Sequence, residues 1–225
     1  MFHVEQPGQF VEFFMGGLAQ LGFSLTDTQV HDFIYYYKEL IAWNKKINLT
    51  SITQDKEIAV KHFIDSLAYT RVLAPFPNHN GSVLDVGSGA GFPGLPLKIS
   101  HPALDLTLLE PNVKKGAFLR HIIGKLRLNK TVVLAKRFQD LREEPTHLGR
   151  YRHIVIRAIG IEQILPFARP LLAEKGFIVL GRSKPLEHLE HRTDSYGLRI
   201  AREVSFSLPY GFGKRVLTVV EPWDI

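Results

Sequence analysis

The sequence predicts an α/β protein: a doubly wound parallel sheet with an N-terminal helical extension and an antiparallel C-terminal edge. Three observations carry that expectation. Three stretches of helical period precede any strand, and from Ser82 short apolar, β-rich runs alternate with helical stretches. The last two runs alternate differently and are joined by the glycine-rich "YGFGK". Apolar strands alternating with helices imply a parallel sheet covered on both faces.

Taken in order, "QFVEFFMGGLAQLG" is helical and ends on a glycine suited to a C-cap. "TDTQVHDFIYYYKELIAWNKKI" opens on Thr26 or Asp27 and places Val30, Phe33, Ile34, Tyr37 and Ile41 on one face. A third helix is expected over Asp55 to Leu73, with Ile58, Phe63, Ile64 and Leu67 at helical spacing. Asn44 and Asn48 are suited to capping the end of the second helix, and Trp43 with Tyr35 to Tyr37 to the core. The prolines and Asn-Gly of "APFPNHNG" break the pattern, so residues 1–74 are expected as a helical subdomain and 82–225 as the α/β domain. Strands follow at "SVLDV", "DLTLLE", "TVVLA", "HIVIRA" and "FIVLG", with helices over "VKKGAFLRHIIGKLRL" and "IEQILPFARPLLAEKG". "LRIAREVSFSLP" and "KRVLTVVEP" form the late antiparallel pair.

Composition narrows the chemistry. A length of 225 residues with 45% hydrophobic and 22% charged residues suits one large domain, or one with a small appendage. No apolar run approaches the roughly 18 to 20 residues of a membrane span, and "MFHVEQPGQF" lacks a signal-peptide profile, so a cytoplasmic protein is expected. Without cysteine there is no disulfide, thiol nucleophile or thiolate metal site, and no metal is expected. The net charge of +6 points to a polyanionic partner chiefly through its distribution. Between Pro111 and Arg137 stand eight Lys or Arg, among them Lys114, Lys115 and Arg120, and no Asp or Glu. "HLEH", with His188 and His191, reads as a solvated helix face.

"VLDVGSGAGFPG" carries the ligand signal: four glycines, Gly87, Gly89, Gly91 and Gly94, follow a strand that ends on an acid. In a doubly wound sheet ligands sit at the carboxyl ends of the strands, where glycines let backbone N–H groups approach them. A triphosphate loop would need Lys and Ser or Thr after its last glycine, whereas Gly94 is followed by "LPLK". "GAGFPG" does satisfy the dinucleotide pattern, so NAD stays open on the loop alone. Two acids favour S-adenosylmethionine. Asp85 would repel a pyrophosphate and attract a sulfonium or amino group, and Glu110 at the second strand's end can accept both ribose hydroxyls.

"DVGSGAGFPGLPLKI", "LLEPNVKKGAFLR", "VVLAKRFQDL" and "VIRAIG", with the upstream "WNKKINLT" and "KHFIDSL", resemble the bacterial small-subunit ribosomal RNA methyltransferase G family, also called GidB. The resemblance runs from about Leu40 to Leu180. It implies a Rossmann-like class I methyltransferase sheet and methyl transfer from S-adenosylmethionine to N7 of a guanine in the decoding-region loop of 16S rRNA. It also implies cofactor contacts at Gly87, Phe92, Phe138, Gln139 and Arg157. The family usually has an acid where Gln139 stands, and Lys-Gly near Arg182 to Lys184. The expected substrate is the 30S subunit or a precursor, gripped through Lys114, Lys115 and Arg120, and the chain is expected to act as a monomer.

Guanine N7 has a free lone pair in the neutral base, so no general base is needed and catalysis rests on positioning. Arg157, at a core strand's end, suits the cofactor carboxylate, the guanine O6, or a structural ion pair with Asp85 or another acid. His62 and Asp65 suit either packing at the junction or the mouth of the site. The rival classes are an NAD-dependent oxidoreductase and a non-catalytic RNA-binding scaffold with a methyltransferase-like fold. The set Gly87, Gly89, Glu110 and Arg157 argues against the second.

Overall fold

A computed structural model describes residues 8–73, 82–184 and 193–223. Seven strands form one sheet: β1 (Ser82–Val86), β2 (Asp105–Leu109), β3 (Thr131–Leu134), β4 (Tyr151–Arg157), β5 (Leu172–Arg182), β6 (Leu198–Ser207) and β7 (Lys214–Pro222). Their order is β3-β2-β1-β4-β5-β7-β6. The first five pair in parallel, and β7 is antiparallel to both β5 and β6. The late pair thus forms the expected antiparallel edge of the sheet, with β6 outermost. β7 is an interior strand, and its alternating Leu217, Val219 and Thr218, Val220 are buried on both faces.

The helices before the sheet are α1 (Gly8–Gln20), α2 (Asp27–Ile47), α3 (Asp55–Ile58), α4 (Asp65–Leu67) and α5 (Thr70–Leu73). Thr26 begins α2 with a reciprocal capping box, its side chain accepting from Gln29 N–H, an arrangement worth about 1 kcal/mol. The buried face of α2 is Phe33, Tyr36, Tyr37 and Leu40, while the expected Val30, Ile34 and Ile41 lie at its margins. The predicted third helix is not uniform: between α3 and α4 the residues Ala59–Ile64 form a π-helical turn. Two carbonyls of that turn are taken by side chains, Lys61 O by Arg157 Nη1 at 2.9 Å and His62 O by the Ser66 hydroxyl at 2.5 Å. One continuous hydrophobic core joins Phe10, Phe14, Phe33 and Phe63 of this helical layer to Val83, Val155 and Val179 of the sheet.

The same layer receives α6 (Gly94–Ser100) and α7 (Val113–Lys125). The other face carries Leu84, Ile154, Ile156 and Leu180 under short helical turns and α8 (Leu165–Ala168). A long helix over Ile161 to Gly176 does not form. Pro166 and Pro170 lack the N–H that an α-helix needs, so the chain makes 3-10 turns at Ile161–Gln163 and Arg169–Leu171 around α8. β5 then begins at Leu172, and its register against β4 slips between Tyr151 and His153. Gly176 sits in that irregularity, where a Cβ would lie 2.8 Å from Ala173 O and 2.9 Å from Tyr151 O. No described helix is long and apolar enough to cross a membrane.

Candidate active site

At the carboxyl end of β1 the chain turns through the glycine loop into α6. Gly87, Gly89 and Gly91 have φ of 68°, 58° and 99°, a left-handed run that residues with a Cβ resist. Gly87 and Ser88 N–H both donate to Leu109 O, at 2.8 and 3.1 Å, and so tie the loop to the end of β2. Glu110, 6% exposed, completes the tie: its Oε2 accepts from Gly89 N–H and its Oε1 from Asn112 N–H, each at 2.8 Å. Each oxygen keeps a second acceptor site, so the carboxylate can brace the loop and still receive a ribose hydroxyl. Above Gly89 the space is open, a Cβ there meeting nothing nearer than Gly87 O at 3.8 Å.

Asp85 lies beneath the loop and is fully buried. Its Oδ2 accepts from Gly94 N–H, the first amide of α6, at 2.9 Å, while Oδ1 is buried with no hydrogen-bond partner. Burial pushes its carboxyl up to about 7, against the Gly94 hydrogen bond and the Arg157 charge, which favour ionisation. Gly94 must be glycine for this approach, because a Cβ would stand 2.7 Å from Asp85 Oδ2 and 2.6 Å from Leu108 Cδ2. Asp85 thus joins strand to helix through backbone, with one acceptor atom left over.

Two clefts flank the loop at the carboxyl edge of the sheet. A cleft of about 320 Å³ is lined by Gly87, Pro111, Phe138, Gln139 and Ile164. A larger cleft of about 570 Å³ opens on the side of the helical layer, lined by His62, Asp65, Tyr69, Arg157 and Arg182 among others. Ile159 lines both and stands over Gly87, whose missing Cβ would be 2.2 Å from Ile159 Cδ1. The preceding Ala158 has φ 60°, an uncommon conformation for a residue with a Cβ, directly after β4.

Arg157 is the hub of the larger cleft. Besides its bond to Lys61 O, its Nη2 meets His62 Nδ1 at 3.3 Å, its Nη1 lies 3.7 Å from Asp65 Oδ2, and its guanidinium sits 5.2 Å from the centre of the Phe92 ring. It makes no hydrogen bond to Asp85; the neighbouring acid it pairs with is Asp65. Burial, and then the Arg157 charge, push the His62 imidazole down to about 3, so it is neutral. Since Nδ1 faces a guanidinium it must accept, leaving Nε2–H to donate to Thr50 Oγ1 at 2.8 Å. The His62 ring stacks on Phe92 at 4.6 Å, and Tyr36 stacks at 5.4 Å while donating to Ala90 O. Phe92 therefore couples the glycine loop to the helical layer.

The structure gathers Asp85, Gly87, Gly89, Phe92, Glu110 and Arg157 around one loop, and puts Phe138 and Gln139 in the smaller cleft. Lys114 and Arg120 are exposed on α7 and Lys115 is half-exposed, and none of the three lines either cleft. Both His62 and Asp65 pack at the junction and face the larger cleft. His188 and His191 lie outside the described residues. Sequence reasoning missed Lys61, Tyr69 and Arg215, which reach the cleft from the π-helical turn, the helical layer and the start of β7. Arg182 was noted only as a departure from the family pattern, yet its Nε and Nη1 are buried there without a partner. Among the described residues no cluster of His, Asp or Glu could hold a metal ion.

This sheet, with a braced glycine loop and an acid at the end of each of its first two strands, is that of an S-adenosylmethionine-dependent methyltransferase. A methyltransferase of that class from Aquifex aeolicus superposes with a TM-score of 0.55 at 15% identity, over 76% of this chain and 96% of that one. TYW2 of M. jannaschii, solved with S-adenosylmethionine, superposes at 0.52 with 16% identity, over 71% and 77%. The family model for rRNA small subunit methyltransferase G, GidB, matches residues 29–208. A Ribosomal RNA small subunit methyltransferase G of Pelotomaculum thermopropionicum is 36% identical over 210 residues, 91% of this chain and 87% of that protein. The chain belongs to the GidB family.

Proposed function

We propose that the protein methylates N7 of a guanine in 16S rRNA, acting as a monomer in the cytoplasm on the 30S subunit or a precursor. The observation that carries the reading is the pair of clefts meeting at Ile159, one beside the Glu110-braced loop and one lined by cations. S-Adenosylmethionine fits the first: Glu110 has spare acceptor sites that would take the ribose, Phe138 and Gln139 line the cleft and would hold the adenine, and Gly89 leaves open space above the loop. Above about pH 7, where it ionises, the buried Asp85 carboxylate adds negative potential beneath a cationic ligand. When bound, the cofactor supplies an electrophilic methyl group.

The residues of the chain supply orientation. Phe92, stacked with His62 and Tyr36, and the bond from Arg157 to Lys61 O fix His62 and Arg157 at the larger cleft. A base extruded into the larger cleft would have to present N7 in line with the methyl group, an alignment worth up to roughly 7 to 11 kcal/mol in well-oriented systems. No group has to remove a proton from N7, consistent with a neutral His62 and an Asp65 engaged by arginines. Lys114, Lys115 and Arg120 extend a cationic surface along α7 for the RNA backbone. The helical subdomain, taken as 1–74, and the α/β domain, taken as 82–225, act together because their described residues share a core.

The test is mass mapping of 30S subunits, taken from a strain lacking the enzyme, after incubation with protein and S-adenosylmethionine. A single N7-methylguanosine in 16S rRNA is expected; methylation of another atom or of no nucleotide refutes the reading. Arg157→Ala should keep the fold yet lose most of the transfer, and unchanged transfer would confine Arg157 to structure.

A further inference from the structure

Among the described residues, the larger cleft is lined by one carboxylate and five cationic side chains. Lys61, Arg157, Arg182, Lys184 and Arg215 line it with Asp65, which is 8% exposed. In a cleft that receives a polyanion, a carboxylate weakens the attraction for phosphate and needs a compensating use. Asp65 is held firmly: Oδ1 accepts from Arg215 Nε at 3.2 Å and Oδ2 faces Arg157 Nη1 at 3.7 Å. Those contacts leave acceptor sites on both oxygens. Burial raises its carboxyl, and the two arginines oppose that and favour the ionised form.

N7 chemistry by itself does not choose a base, because adenine and guanine both carry an N7 lone pair. Discrimination has to come from another edge. Guanine offers two adjacent donors, N1–H and the exocyclic amine, across the ring from N7, where adenine presents an unprotonated N1. A carboxylate accepts from the first and repels the second. We propose that Asp65 selects guanine by accepting from N1–H and the exocyclic amine, which leaves N7 free to face the glycine loop.

The assignment rests on the guanine reading above but is tested without methyl transfer. The full chain, saturated with S-adenosylhomocysteine, is titrated calorimetrically with GMP, IMP and AMP. IMP keeps N1–H and lacks the exocyclic amine. The wild type should bind in the order GMP, IMP, AMP, with GMP at least about tenfold ahead of AMP. Asp65→Asn should lose both gaps while its affinity for S-adenosylhomocysteine is unchanged. Equal binding of GMP and AMP by the wild type, or no binding of any of the three, overturns the proposal and needs no variant to do so. An equal loss for all three ligands in Asp65→Asn also overturns it, because that is what a carboxylate serving only to hold two arginines would produce. Selective GMP binding without rRNA methylation would refute the function proposed above and leave this assignment standing; methylation without selectivity would do the reverse.

Discussion

Asp85 makes the stability of the protein pH-dependent in a direction opposite to that of a salt-bridged carboxylate. Its carboxyl moves from 3.8 to about 7 on folding, so below pH 4 both states are protonated and between 4 and 7 the folded state holds a proton that the unfolded state has released. Stability from this group is therefore fully present at low pH and is lost as pH rises through about 7. At ~1.4 kcal/mol per pH unit the loss is about 4 kcal/mol, a large part of the stability of a domain. Asp85→Asn removes the titration and keeps an oxygen to accept from Gly94 N–H. Its amide NH2 takes the place of Oδ1, which has no partner, and costs about 1 to 3 kcal/mol at every pH. Urea unfolding of both proteins should place the variant below the wild type near pH 4 and above it near pH 8. Wild-type and variant curves that run parallel across that range would refute the placement of a desolvated carboxyl beneath the loop.

His62 titrates in the opposite sense. Its imidazole is depressed from 6.5 to about 3, so the stability it contributes is present above pH 6.5 and lost as pH falls toward 3. His62→Asn retains an acceptor for Arg157 whereas His62→Gln retains only the reach to Thr50. The Asn variant should keep the higher kcat for methyl transfer, and equal rates would remove His62 from the positioning of Arg157. Replacing Lys114, Lys115 and Arg120 together by alanine should flatten the dependence of log affinity for 30S subunits on log salt by roughly 0.7 to 0.9 per lost phosphate contact. An unchanged slope would take α7 out of the RNA interface.

Much of the fold was readable because local chemistry agrees with the tertiary result. The apolar runs of β1, β2 and β4, the Thr26 capping box and the glycine loop are each specified within a few residues. Failures fall where local and global demands part. Ile161 to Gly176 has helical spacing, but Pro166 and Pro170 break it into turns. The segment from Asp55 to Leu73 has helical spacing throughout, yet carries a π-helical turn whose freed carbonyls are satisfied by Arg157 and Ser66. Nothing local foretells that turn, because Arg157 is 96 residues away from Lys61.

The half of the site proposed to hold the cofactor is legible along the chain. Glycines at positive φ, Asp85 ahead of the loop and Glu110 at the next strand's end act through backbone geometry and charge, which short-range order transmits. The half proposed to receive the base is assembled by packing. Lys61, His62, Asp65, Arg157, Arg182 and Arg215 come from distant parts of the chain, and none carries a local signal for the others. They meet because the helical layer packs on the face of the sheet that bears Val155, Val179 and Leu217, which brings the π-helical turn over the carboxyl ends of β4 and β5. The hydrophobic contact that drives this packing is non-directional. Its register is set by the fit of Phe63, Tyr36 and Phe92 rings, and their pairing cannot be read from spacing along the chain.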